Sequence, residues 1–172
     1  GYEIYFPWDQ TTMLWRDLLK KSVKPAGLGV RDVLRIEMCY SLYGHELSTT
    51  ITPLEAGLNK FVDFDKEFIG KEALMRQKQN GIPRKIVYFT SDSRRSPRAH
   101  HKIFTKDMKE TGEVTSGSFS PSLSKGIGIG FVSGAAGAAG AKGEKVLIGD
   151  DKNKIEAQIA GRPFYKNGSL KE

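Results

Sequence analysis

The sequence predicts an α+β fold: a mixed α/β segment followed by a β-barrel or β-sandwich. Apolar residues recur at helical spacing up to Pro83, and beyond it short β-branched and aromatic runs alternate with turn residues at roughly 8–12-residue intervals. A length of 172 residues suits one sizeable domain or two small ones. The change of period places a boundary near residues 80–84, with residues 1–82 in the leading part and 83–172 in the trailing part.

The chain opens on a strand pattern, with Tyr2, Ile4 and Phe6 on one face and Glu3 and Tyr5 on the other. A strand needs a neighbour for its backbone donors and acceptors, so this opening reads either as part of a longer protein or as a trimmed chain. Asp9 is a helix N-cap in type, and Met13, Leu14, Leu18 and Leu19 supply the apolar stripe that follows. Pro25, Gly27 and Gly29 break the chain before VRDVLRIEMCY. In that helix Val30, Val33, Leu34 and Met38 are expected to face the core and Arg31 a flank. Turn residues fill Gly44 to Pro53. LEAGLNKFVDF is expected to be a short helix entering a strand. FIGKEALMRQKQNG is a helix with Leu74 and Met75 on one face and Gly81 and Pro83 as stop signals.

Six strands are expected after Pro83, at RKIVYFTS, KIFTK, GEVTSGSF, GIGIGFV, KVLIG and KIEAQIA. Gly126, Gly128 and Gly130 alternate every second residue, which fits neither phosphate-loop spacing. Alternating Gly and Ile instead suits a strand packed closely against another backbone. GAAGAAGAKG reads as a loop.

Lys and Arg outnumber Asp and Glu by 27 to 20, a net charge of +7, which favours anionic partners: nucleic acid, an acidic protein, or a phosphate or polycarboxylate ligand. No apolar run approaches the ~20 residues of a membrane span, and GYEIYFPWDQ lacks the pattern of a secretory signal. The single cysteine, Cys39, excludes an intrachain disulfide and a Cys-based zinc site; its default is a small buried thiol in a reducing compartment.

His100 and His101 are adjacent, so in a strand they face opposite ways, and His45 is isolated in a turn; no metal site follows. SRRSPRAHHK is basic but lacks the interleaved aromatics of a base-stacking surface. Asp63 and Asp65 share one side of an expected strand and Asp150–Asp151 a turn, with no partner to raise a pKa. The residues by themselves define no catalytic centre.

Several strings, taken in order, resemble one family: GLGVRDVLRIE, LYGHEL, ITPLEAGL, FIGKEAL, GEVTSGSFSPSL and PFY are similar to the aminomethyltransferase (T-protein) of the glycine cleavage system, over essentially the whole chain. GYEI also fits, and the match is to a C-terminal portion. The resemblance implies that residues 1–82 end a ferredoxin-like, folate-binding α/β region and that residues 83–172 form the C-terminal β-barrel. It implies tetrahydrofolate as cosubstrate, and transfer of the one-carbon unit from the aminomethyl group on the lipoyl arm of the H-protein, with release of ammonia. The partners implied are that H-protein and the folate, without nucleic acid or membrane. The compartment implied is the cytoplasm, or the mitochondrial matrix in a eukaryote.

In the family's pattern the catalytic aspartate lies upstream, and so does a pterin-binding glutamate in a T-G-E segment. No catalytic residue is therefore expected here, and the chain alone is expected to be inactive. The arginine of the family's A-R-D falls on Arg31, in GVRD, implying a folate contact; a salt bridge to Asp32 or Glu37 is its competitor. Tyr40 stands where some members place a tyrosine near the folate, against plain core packing. Lys166 and Lys171 stand where relatives carry a site arginine, and Lys171 is the one taken as a cofactor contact. Cys39 departs from the family's glycine or small residue. A non-enzymatic folate-binding relative, acting as a scaffold or in iron–sulfur protein maturation, is the alternative.

Overall fold

A computed structural model describes residues 2–134, 140–150 and 152–168. The chain divides into two compact units, Gly1–Arg31 and Asp32–Glu172.

In the first unit residues 2–7 are irregular, not the expected strand, since an extended segment without a paired neighbour leaves its amides and carbonyls to water. A 3₁₀ turn, Trp8–Gln10, leads into α1 (Thr11–Lys20). The helix thus begins after Gln10, which makes no side-chain cap bond, and Asp9 lies inside the turn instead of capping it. Leu14, Asp17 and Leu18 form the half-buried stripe, while Met13, Trp15 and Leu19 stay exposed. α1 has no fully buried residue.

α2 (Leu28–Glu37) starts in the first unit and ends in the second. Its inward face differs in part from the expected one, with Val33 and Met38 half-buried as expected. Val30 and Leu34 are exposed, and Ile36 and Glu37 are buried, followed by Cys39. Both stripes are apolar enough to pack; the one chosen carries Arg35, whose side chain reaches Asp32 on its own helix, the Tyr40 carbonyl and Glu46 beyond it, and Ser116 on the barrel. After it, residues 41–58 form turns with a bridge between Tyr43 and Leu47. The expected strand at 62–64 is absent: a 3₁₀ turn at Asn59–Phe61 runs into bends, and Asp63 Oδ1 accepts the Asp65 amide at 3.1 Å, a local turn that competes with a ladder. α3 (Lys71–Asn80) is the expected helix and stops at Gly81, whose φ of 93° needs glycine, but Leu74 shares its half-buried face with Lys71 and Gln77 while Met75 is exposed.

The trailing strands form a closed antiparallel barrel in the order β1-β4-β3-β2-β5-β6. They are β1 (Arg84–Ser91), β2 (Lys102–Phe104), β3 (Glu110–Ser120), β4 (Lys125–Ser133), β5 (Lys145–Gly149) and β6 (Lys154–Ile159). The fold is the α+β class expected, with the barrel chosen over the sandwich. β1 pairs with β4 from Arg84–Ser133 to Ser91–Gly126, and the barrel closes where Phe89 and Thr90 of β1 meet Ile159 and Gln158 of β6.

Alternation along the strands sorts residues to two faces. Val87, Phe89, Ile103, Val114, Val132, Val146, Ile148, Ala157 and Ile159 fill one cluster. Tyr88, Ile127 and Ile129 face the other way and pack with Ile36 and Cys39 from the α2 region. β4 shows why its glycines alternate: a Cβ at Gly128 would lie 2.3 Å from Phe89 Cζ, and one at Gly130 2.5 Å from the Glu113 carbonyl oxygen. The isoleucines therefore dock α2, while Gly128 makes room for the Phe89 ring and Gly130 for the backbone at Glu113 and Val114. Most of the GAAGAAGAKG stretch lies outside the described residues.

Candidate functional site

The end of α2 is set by a left-handed cap. Cys39 has φ 57°, its amide donates to the Ile36 carbonyl at 2.8 Å, and the Tyr40 amide donates to the Arg35 carbonyl at 2.8 Å. These two bonds are the paired closure of a Schellman motif, with cysteine at the position that favours glycine. Burial pushes the Cys39 thiol up to about 11, against opposing effects of a hydrogen bond with the Phe164 backbone and of Arg162. The cap turns the chain so that Tyr40 leaves the helix with its side chain 63% exposed.

Under this cap lies a buried polar cluster. The Arg35 side chain, 10% exposed, donates through Nη1 to Glu46 Oε2 at 2.9 Å and through Nε to Asp32 Oδ1 at 2.7 Å. Its Nη2 donates to Ser116 Oγ at 2.7 Å and its Nη1 to the Tyr40 carbonyl at 3.3 Å. Glu46 is fully buried and accepts further from the Leu42 amide (3.0 Å), Thr115 Oγ1 (2.5 Å) and Ser116 Oγ (2.6 Å). A charge removed from water needs this many partners. His45 Nδ1 lies 3.0 Å from the Thr115 carbonyl, which can only accept, so Nδ1 carries the hydrogen. The cluster fastens α2 and the loop after it to the bulged part of β3.

Two further carboxylates anchor the same surroundings. Buried Glu37 accepts from Ser120 Oγ at 2.5 Å, and its carbonyl accepts the Phe164 and Tyr165 amides at 3.0 and 3.1 Å. In the ITPLEAGL stretch, Thr52 and Glu55 form reciprocal bonds: the Thr52 amide donates to Glu55 Oε2 at 2.7 Å and the Glu55 amide to Thr52 Oγ1 at 3.2 Å. Arg84 Nε adds 2.8 Å to Glu55 Oε1. Burial raises the Glu55 carboxyl, but the Thr52 amide and the Arg84 guanidinium outweigh it and hold the group below its ordinary value.

Arg31 closes the first unit on α2, exposed, and its side chain makes no hydrogen bond or ion pair among the described residues. Asp32 is paired with Arg35, and Glu37 accepts from Ser120. Tyr40 is exposed in the second unit, which sets core packing aside. Lys166 is exposed, and Lys171 lies outside the described residues. Sequence reasoning missed Arg35, Glu46, Thr115 and Ser116. Only the i,i+3 spacing of Asp32 and Arg35 offered a local signal. Among the described residues no group of three or more His, Cys, Asp or Glu is placed to hold a metal, and no helix is long and apolar enough to cross a membrane.

Residues 1–66 match the family model of the GCVT N-terminal domain, and residues 84–166 match that of the glycine cleavage T-protein C-terminal barrel domain. The chain belongs to the glycine cleavage T-protein family. An aminomethyltransferase from Pseudothermotoga lettingae is 41% identical over 175 residues, covering 99% of this chain and 47% of that protein. One from Listeria monocytogenes serotype 4a is 45% identical over 168 residues, covering 96% of this chain and 45% of that protein. The crystal structure of glycine cleavage system aminomethyltransferase T from Bartonella henselae superposes with a TM-score of 0.79 at 28% identity, covering 90% of this chain and 43% of that one. The chain thus spans about half the length of the T-protein relatives it matches.

Proposed function

We propose that the chain serves as a C-terminal portion of a glycine cleavage T-protein, an aminomethyltransferase that passes the one-carbon unit of an H-protein-bound aminomethyl group to tetrahydrofolate with release of ammonia. The observation that carries the reading is the match of both T-protein family models, together spanning residues 1–66 and 84–166. On this reading residues 1–82 end the folate-binding region and residues 83–172 are the barrel domain. The protein works in the cytoplasm, or in the mitochondrial matrix of a eukaryote.

The exposed side chains suit a folate. Arg31 offers an exposed guanidinium fork without a bond among the described residues, matched to a carboxylate or to the polar edge of a ring. Tyr40 offers an exposed aromatic face for stacking on a flat ring system. Lys171 is retained as a further contact to the same ligand. The folate, when bound, supplies the nitrogen that accepts the one-carbon unit. The chain's own residues contribute binding and orientation, which alone lower a barrier by fixing the reacting groups. Arg35 and Glu46 act one step back: the Arg35 bond to the Tyr40 carbonyl helps fix the backbone from which Tyr40 projects.

The test is calorimetric titration of tetrahydrofolate into the complete T-protein carrying Arg31, Arg31→Ala or Arg31→Lys. A charge-assisted hydrogen bond is worth ~1.5–3 kcal/mol, so Arg31→Ala weakens binding by roughly 10- to 150-fold. Arg31→Lys recovers only part, because an ammonium lacks the fork. Unchanged affinity with a large loss of melting temperature would assign Arg31 a structural role instead.

A further inference from the structure

One concavity of the barrel unit is lined by cations and by no anion. It has a volume of about 530 Å³, and Lys125, Lys142, Arg162 and Lys166 line it together with the neutral polar residues Thr90 and Gln158. No Asp or Glu is among its described lining residues. We propose that this hollow, formed by the start of β4, the turn before β5, the end of β6 and residues 160–166, binds a small polyanion carrying several phosphate or carboxylate groups.

The walls are fixed by the backbone. The Gly143 amide donates to the Ile159 carbonyl at 2.8 Å, Gln158 Nε2 donates to the Gly143 carbonyl at 2.9 Å, and the Ala160 amide donates to the Tyr88 carbonyl at 2.7 Å. These bonds tie the turn before β5 to the end of β6, so the cations are presented from a held frame. Lys142 reaches across this frame: a Cβ at Gly161 would sit 3.7 Å from its Nζ.

The donors select for charge over shape. Arg162 already spends its fork on Tyr88 Oη and the Gly57 carbonyl, each at 3.4 Å. Lys125 faces Asp92 at 2.8 Å in an exposed pair. Lys142 and Lys166 make no hydrogen bond or ion pair among the described residues. An ammonium is a compact point charge with rotatable donors, so two free ones and two partly engaged cations fit a flexible chain of anions better than one planar carboxylate. No lining residue comes from the Arg31–Tyr40 stretch, so the site stands whether or not that stretch holds folate.

The experiment is calorimetric titration of tripolyphosphate and, separately, of a triglutamate peptide into the 172-residue chain at low ionic strength. Binding of either probe is expected, weakening as salt is raised. Stronger binding of tripolyphosphate identifies a phosphate ligand, and stronger binding of triglutamate an oligocarboxylate. Losing each lysine contact is expected to cost about 5-fold, so Lys142→Gln with Lys166→Gln weakens binding by about 25-fold at an unchanged melting temperature. Lys106→Gln with Lys109→Gln removes the same charge from outside the hollow and should leave the affinity within about 2-fold. Three results would each overturn the proposal: no binding of either probe, full affinity in the Lys142/Lys166 variant, or an equal loss in the Lys106/Lys109 variant.

Discussion

Arg35 and Glu46 should be strongly coupled in stability. Glu46 has no contact with water, and Arg35 supplies its only cation among the described residues, at 2.9 Å, from a side chain 10% exposed. Replacing Arg35 with Met leaves the carboxylate buried among neutral donors only, and breaking a buried pair from one side costs about 3–5 kcal/mol. Glu46→Gln keeps an acceptor for the Leu42 amide and the Ser116 and Thr115 hydroxyls but strands the guanidinium, at about 1–3 kcal/mol. In the double variant neither ion is stranded, so its cost should fall short of the sum by roughly 1.5 kcal/mol or more. For a chain of this size each kcal/mol moves the melting temperature by about 2–4 °C, so Arg35→Met should lower it by roughly 6–20 °C. Urea unfolding followed by circular dichroism on the four members of the cycle gives the numbers. A cost below about 1 kcal/mol for Arg35→Met, or strict additivity, would refute the picture of a mutually dependent buried pair.

Gly128→Ala should destabilise the barrel by about 1–3 kcal/mol, because the added Cβ meets the Phe89 ring at 2.3 Å; a thermal melt checks this, and Phe89→Leu in the same background should recover part of the loss. Cys39, with its thiol pushed up to about 11 by burial, should resist an aromatic disulfide reagent at pH 8 until urea unfolds the chain; reaction at the rate of a free thiol would contradict its placement. Glu55 is held below its ordinary value when folded, so its contribution is present above the unfolded value of about 4.3 and is lost as pH falls from there through the folded value. Urea midpoints between pH 3 and 6 should therefore fall with acid, and less steeply in Glu55→Gln.

The strands were legible in the sequence because their signal is local. RKIVYFTS and KVLIG became β1 and β5 residue for residue, and the alternation of Gly with Ile in β4 anticipated one crowded face. Reading which face of α2 turns inward required knowledge from elsewhere in the chain. Val30 and Leu34 offer as much apolar surface as Ile36 and Cys39. The choice follows from Arg35, whose partners Glu46 and Ser116 lie 11 and 81 residues away. A charged residue on a helix normally faces water, and only the assembled partners make the burial of Arg35 favourable. The same holds for Cys39: its side chain reads as apolar helix surface, and its left-handed backbone emerges only with the cap. Arg31 came through family resemblance, since nothing in its neighbours distinguishes a ligand-binding arginine from a solvated one.

The closing seam of the barrel sets an order of events in folding. β1, β4 and β3 can zip together as neighbours, with β1 paired to β4 along its whole length, from Arg84–Ser133 to Ser91–Gly126. The β1–β6 seam, by contrast, is held at Phe89–Ile159 and Thr90–Gln158, with the Ala160 amide on the Tyr88 carbonyl beside it, across some 70 residues of chain. Joining ends so distant costs loop entropy before any contact repays it, which places such barrels among domains that fold in milliseconds to seconds. Completion of the cylinder then waits for the last strand, and in the finished molecule the short seam is where it should first unzip. Amide exchange at Ile159 and Ala160 should accordingly outpace exchange at Val87 and Ile129 on the rare openings of an otherwise held cylinder.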